Sequence, residues 1–278
     1  MAAFALTAAL LPPASEAKPH SGKLRAVVFD DLKPFIEKQG SGYAGLAVDV
    51  LNAIKDESGA KAIQFMPASS VEQGLEAVTS GRADIACAVA FTWERSKSAL
   101  YTLPFAVGGT RLLAPAGIDG TPDSLQGRSV GVVENSAAAE VIASVVPEAR
   151  LQGFKTPAEA LAALNSKQVS ILAGPSFWLM ANKGSSSRNL VPTTAYGRSG
   201  IGCIVALNNP SLLSASNLAI AQMMQAYVDG DAGTREMVNR WVGPGSAIQL
   251  PEDQITAFYT MILTATAEIS TGVEGPGN

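Results

Sequence analysis

Short runs of consecutive apolar residues at 24–29, 61–66, 84–90 and 169–173 alternate with longer stretches of helical periodicity. All four read as strands, and the run at 84–90 is too apolar to keep one face in water. Between them, Val48, Leu51 and Ile54 repeat at helical spacing in a segment that stops before Gly59. Ser69-Ser70-Val71-Glu72-Gln73 is a capping-box start for a helix ending at Gly81. Thr156-Pro157-Ala158-Glu159 is another, with proline at the first helical position and a helix running to about Leu164. Ser136 opens a helix to Val145, Pro175 opens a short one carrying Phe177 and Trp178, and Asn209-Pro210 caps a long one that Gly230 ends. Strands at 190–195 and 200–207 and a helix over 234–242 complete an α/β pattern. At 251–269, Ile255, Phe258, Tyr259, Ile262 and Leu263 share one helical face opposite threonines, a helix expected to pack on the body of the protein or, alternatively, to make a dimer contact.

Composition narrows the function. The 278 residues suffice for one large or two medium domains, and 47% hydrophobic against 16% charged residues supports a well-buried core. A formal net charge of -4 without a long basic run predicts no nucleic-acid partner. The only histidine, His20, lies in a tail, so Ser-His or Cys-His catalysis and His-containing zinc sites are excluded, and no cofactor is expected. Residues 1–17 carry an apolar run and a small-residue exit, which reads as a secretory leader, although no Lys or Arg precedes it; the other reading is a disordered tail. Ten apolar residues are too few to span a bilayer and no later segment approaches a span, so an exported, not membrane-spanning, protein is expected. Cys87 and Cys203 both sit in apolar runs, as two small buried hydrophobes or as a disulfide.

The stretch from Gly81 to Phe105 organises the rest. An apolar strand over 84–90 leads to Thr92-Trp93-Glu94-Arg95 at its C-terminal end, where open α/β sheets place their ligands, and Leu103-Pro104-Phe105 leads out. This resembles the binding segment of the type II periplasmic solute-binding proteins, the amino-acid-type receptors of ABC importers. Over roughly 22–243 other segments match in order: Gly45 and Val48-Asp49-Val50, Leu125-Gln126-Gly127-Arg128-Ser129-Val130-Gly131-Val132, Tyr196-Gly197 with Gly200-Ile201-Gly202, and Trp241-Val242-Gly243.

The resemblance implies a two-lobed fold, each lobe a mixed, mostly parallel sheet flanked by helices, joined by two crossing strands at about 105–109 and 197–201. The first lobe would be 22–107 plus 198–245 and the second 108–197, with Gly108-Gly109 as a flexible crossing; 1–21 would be leader or tail and 246–278 an added helix and tail. It places Cys87 and Cys203 on neighbouring strands of the first lobe. Arg95 would clamp a ligand carboxylate beside Thr92 and the Ala90 backbone, with Phe35 as the aromatic near the ligand. Across the cleft, Asn135, Ser136 and Ala137 at a helix start would hold the anion, and Gly174 would stand where receptors of this family keep an aspartate for the ligand's ammonium. The residues leave other readings: a surface ion pair for Arg95, a plain N-cap for Ser136 and a core ring for Phe35.

No Asp or Glu occurs from Ala160 to Val228, which points to an organic anion without an α-ammonium as ligand; Glu134, Asp30 or Asp31 could substitute for the missing acid. The implied role is an extracytoplasmic solute-binding protein with an ABC permease as possible partner. Two alternatives are an orphan periplasmic module and an enzyme like cyclohexadienyl dehydratase. In the latter Glu134 would be the general acid, where the plainer reading is a solvated first-turn glutamate.

Overall fold

The computed structural model describes residues 22–183 and 187–271, so the expected leader, His20 and the Gly-rich end from 272 lie outside the described residues. The chain opens with β1 (Lys23–Phe29), followed by a small antiparallel sheet of β2 (Asp31–Leu32), β3 (Ile36–Gln39) and β4 (Gly42–Ala44). Then come α1 (Leu46–Glu57), β5 (Ala62–Ala68), α2 (Val71–Thr79), β6 (Ile85–Ala90), the single turn α3 (Trp93–Ser96) and β7 (Ala99–Tyr101). Strand β8 (Ala106–Ala114) carries the chain across to α4 (Pro122–Leu125), β9 (Ser129–Val133), α5 (Ala137–Val145), β10 (Arg150–Phe154), α6 (Pro157–Asn165), β11 (Leu172–Pro175) and α7 (Ser176–Asn182). Strand β12 (Asn189–Ala206) returns it to α8 (Pro210–Asp229), α9 (Ala232–Trp241) and α10 (Glu252–Thr271).

The strands form one curled mixed sheet in the order β10-β9-β11-β8-β12-β6-β1-β5, with β7 on β12. At one end β6, β1 and β5 run parallel, and at the other β10, β9 and β11 do. The two ends meet in the antiparallel pair β8–β12. Apolar packing divides with them. One core gathers Leu24, Leu51, Ile85, Ile204 and Tyr227. Two smaller cores cover the faces of the other end, one around Leu112, Val130 and Ile142, the other around Leu113, Leu164 and Leu172. A sheet covered on both faces needs continuous apolar strands, and β6 is buried at every position except its last.

Gly108-Gly109, expected as a flexible crossing, lies inside the crossing strand β8, which pairs with β12 on both sides of it. The glycines serve close approach: a Cβ on Gly108 would lie 2.7 Å from Ile201 Cδ1, and one on Gly109 2.8 Å from the Tyr196 carbonyl oxygen. The return segments at 190–195 and 200–207 likewise merge into the one strand β12, with register shifts after Val191 and Tyr196.

Cys87 and Cys203 are register partners on β6 and β12, both fully buried and joined by a disulfide. Beside them Ala88 takes a left-handed φ of 64° and the register shifts between Gly202 and Cys203, so the bond ties β6 to β12 at a bulge.

Helix α10 lies on α8 through its apolar face. Ile255 and Tyr259 are buried, Phe258, Ile262 and Leu263 pack beside them, and the Tyr259 ring meets Tyr227 edge-on at 5.4 Å. Burial raises the Tyr259 phenol's pKa well above its ordinary value, with a smaller push from Tyr227.

Candidate functional site

Strand β6 ends at Ala90, and Thr92 stops the extended backbone by capping α3: its hydroxyl accepts from the Arg95 backbone N–H at 3.2 Å. The cap folds the Arg95 side chain back toward the strand it came from. Arg95 Nη1 donates to the Ala90 carbonyl at 3.1 Å, and Nη2 pairs with Glu72 Oε1 at 3.0 Å from the first turn of α2. The Tyr101 hydroxyl donates to the same Ala90 oxygen at 3.0 Å. Burial raises the Tyr101 pKa, opposed in part by the charge of Arg95. The Arg95 side chain is 13% exposed, whereas that of Glu72 is 48% exposed. A guanidinium has five N–H donors. Two of Arg95's are bonded to Ala90 and Glu72, and the Tyr101 hydroxyl lies against the same guanidinium. Phe91 stands next to this group, with Trp93 edge-on at 5.0 Å and Tyr101 at 5.1 Å; Trp93 itself is 80% exposed.

A second constellation follows β9. Asn135 turns the chain with a left-handed φ of 56°, and the Ser136 hydroxyl accepts from the Ala139 N–H at 3.2 Å while donating to the Val133 carbonyl at 2.7 Å. Ala137 is the first helical residue of α5, so its N–H belongs to the unpaired set that favours an anion. Glu134 lies exposed against Gly153, where a Cβ would come within 2.7 Å of Glu134 Cγ.

The other two predicted site residues sit apart from these groups. Gly174 is buried on β11, in register with Arg111 of β8 and beside Leu179 and Trp178. Phe35 is a core residue: it is 4% exposed and meets Phe105 at 6.0 Å and Phe177 at 5.2 Å, both edge-on. Its loop is committed elsewhere, because the Pro34 and Phe35 carbonyls accept from Leu46 and Ala47 and so cap α1. Phe177, from α7, thereby plugs into the core built around β1 and β6. Sequence reasoning missed Glu72 and Tyr101. Glu72 read as part of a helix cap, and only the fold brings it to Arg95, 23 positions away.

No group of His, Cys, Asp and Glu side chains among the described residues could hold a metal ion, and no described helix is long and apolar enough to cross a membrane.

The family model for bacterial extracellular solute-binding proteins, family 3, matches residues 24–243. The chain belongs to this family. The virulence sensor protein BvgS of Bordetella pertussis is 27% identical over 224 residues, which are 79% of this solute-binding chain and 17% of the relative. The chain thus spans about a sixth of the curated relatives it matches. Among solved structures, an ancestral arginine-binding protein bound to glutamine has a TM-score of 0.69 at 23% identity, covering 80% of this chain and 98% of that one. An ancestral amino acid-binding protein, a precursor of cyclohexadienyl dehydratase, has a TM-score of 0.69 at 21% identity (79% and 94% covered). The GluR0 ligand-binding core in complex with L-glutamate has a TM-score of 0.67 at 21% identity (80% and 98% covered). These structures share the two-lobed α/β fold.

Proposed function

We propose that this solute-binding protein works outside the cytoplasm, closing its two lobes, 22–107 with 198–245 and 108–197, over a small carboxylate-bearing ligand. Arg95 is the anion seat of the first lobe, and Ser136 with the N–H groups of Asn135 and Ala137 is that of the second. One observation carries this reading: Arg95 is mostly buried, oriented by Thr92 and Ala90, and its five N–H donors outnumber the Ala90, Glu72 and Tyr101 oxygens around them at the C-terminal end of a central strand. Such donors suit the charge-assisted, bidentate grip of a planar anion. The absence of acids from Ala160 to Val228 favours a ligand without an α-ammonium, delivered to an ABC permease.

Mass spectrometry of the small molecules released by denaturing gently purified protein tests the reading, followed by a thermal-shift panel of organic acids and the standard amino acids. Stabilisation by an organic acid is expected; stabilisation by an α-amino acid alone would overturn the ligand class.

A second reading is favoured by the match to a virulence sensor: the chain is the ligand-sensing module of a signalling system. Permease and ATPase genes beside this one support the importer, and attachment to a signalling protein supports the sensor. Turnover of a cyclohexadienyl acid in a spectrophotometric assay would instead reveal an enzyme, with Glu134 as its acid.

A further inference from the structure

We propose that Glu72 is an affinity filter: a carboxylate of the protein's own that competes with the ligand for Arg95. This rests on the reading of Arg95 as the anion seat. Three features of the pair support it. Glu72 Oε1 lies 3.0 Å from Arg95 Nη2, so the guanidinium meets a carboxylate of the protein itself. The two partners differ in burial: Arg95 is 13% exposed and held from behind by the Ala90 carbonyl, whereas Glu72 is 48% exposed and has this one ion pair among the described residues. Arg95 is therefore the fixed partner and Glu72 the one free to leave. Glu72 also sits in the first turn of α2, behind the Ser70 cap that accepts from the Gln73 N–H, so its backbone is anchored while its side chain swings.

Competition from a tethered group has a definite strength. A side chain presents its carboxylate at an effective concentration on the order of mM or higher. A free monocarboxylate that offers Arg95 nothing beyond what Glu72 offers is outcompeted below that concentration. A ligand that also engages the α5 start through a second group gains contacts Glu72 cannot match, and it displaces Glu72 toward solvent. Glu72 thus raises the affinity every ligand needs for occupancy, a threshold that simple acids fail and that ligands bridging both constellations pass. While Glu72 is paired, it also neutralises Arg95, which keeps the cleft from attracting inorganic anions.

The test uses acetate and succinate as probes, titrated by calorimetry into the wild type, Glu72→Gln, Arg95→Ala and the double variant. Glutamine preserves the size of the side chain and removes its charge. Glu72→Gln should bind acetate about tenfold more tightly than wild type or better, and the gain should vanish in the double variant. Succinate should gain by the same factor, because every ligand seated on Arg95 must displace the same Glu72 carboxylate. Equal acetate affinity in wild type and Glu72→Gln, with a melting temperature showing both folded, would overturn the filter. If the ligand released by the purified protein still needed Arg95, the anion seat would survive that failure. A gain in Glu72→Gln that persisted in the double variant would place the anion elsewhere and overturn both. Glu72→Asp, which withdraws the carboxylate by one methylene, should fall between wild type and Glu72→Gln.

Discussion

The Cys87–Cys203 disulfide should supply a large share of this protein's stability. The two residues are 116 apart, and the loop between them holds everything from α3 to most of β12, including the whole second half of the sheet. Cross-linking an unfolded chain across a loop of that length removes about 16 cal/mol/K of chain entropy, or about 4.8 kcal/mol at 25 °C. Both sulfurs are fully buried, so replacing them with alanine adds a cavity term of about 1 kcal/mol. Cys87→Ala/Cys203→Ala should therefore lose roughly 5–6 kcal/mol in urea unfolding. Its thermal midpoint should drop by roughly 10–20 °C, at the 2–4 °C per kcal/mol expected for a chain this long. The urea m-value should rise, because an unfolded chain without the cross-link exposes more surface. Counting thiols on denatured, unreduced wild type should find none. A loss below about 2 kcal/mol with an unchanged m-value would refute the argument that the bond acts on the unfolded state.

Gly45→Ala should cost roughly 3–5 kcal/mol in the same assay, because a Cβ there would sit 2.1 Å from the Phe35 carbonyl oxygen at a backbone φ of 134°; a loss under about 1 kcal/mol would contradict the contact. Ser216→Ala should stabilise by about 1 kcal/mol, since the Ser216 hydroxyl is fully buried with no hydrogen-bond partner among the described residues. Destabilisation on urea unfolding would mean that the hydroxyl is satisfied. Tyr259→Ala should release α10 at a cost of about 3 kcal/mol, read as limited proteolysis cutting within 252–271; a protease-resistant variant would show that Tyr259 does not anchor the helix.

Much of the fold was legible because local chemistry and tertiary packing agree. The capping boxes at Ser70 and Thr156 form with the expected acceptors, and Gly230 ends α8 in a left-handed conformation. The segments that were missed lack such a signal. Strand β10 is an edge strand with no buried position, so its sequence lacks an apolar run. The small sheet β2–β4 is short and half-exposed, held by pairing rather than composition. Gly108-Gly109 read as flexible because glycine is equally at home in a loop and under a closely approaching neighbour, and only the position of Ile201 distinguishes the two. At the candidate site, the positions of Thr92 and Arg95 just after β6 were legible, since a strand end and the turn that follows it are local features. Their acidic partner was not, because Glu72 reaches Arg95 only when α2 packs beside the strand that carries it. Phe35 shows the opposite failure: an aromatic after a strand looks the same in sequence whether it faces a cleft or, as here, Phe105 and Phe177.

The role of Arg95 is tested most directly by calorimetry with the released ligand on wild type and Arg95→Ala. Removing one partner of a desolvated charge pair costs about 2–5 kcal/mol, so affinity should fall roughly 30-fold to several-thousand-fold. The melting temperature should stay close to wild type, because the ion pair with half-exposed Glu72 adds little to the fold. Unchanged affinity in a folded Arg95→Ala variant would contradict the assignment of Arg95 as the anion seat.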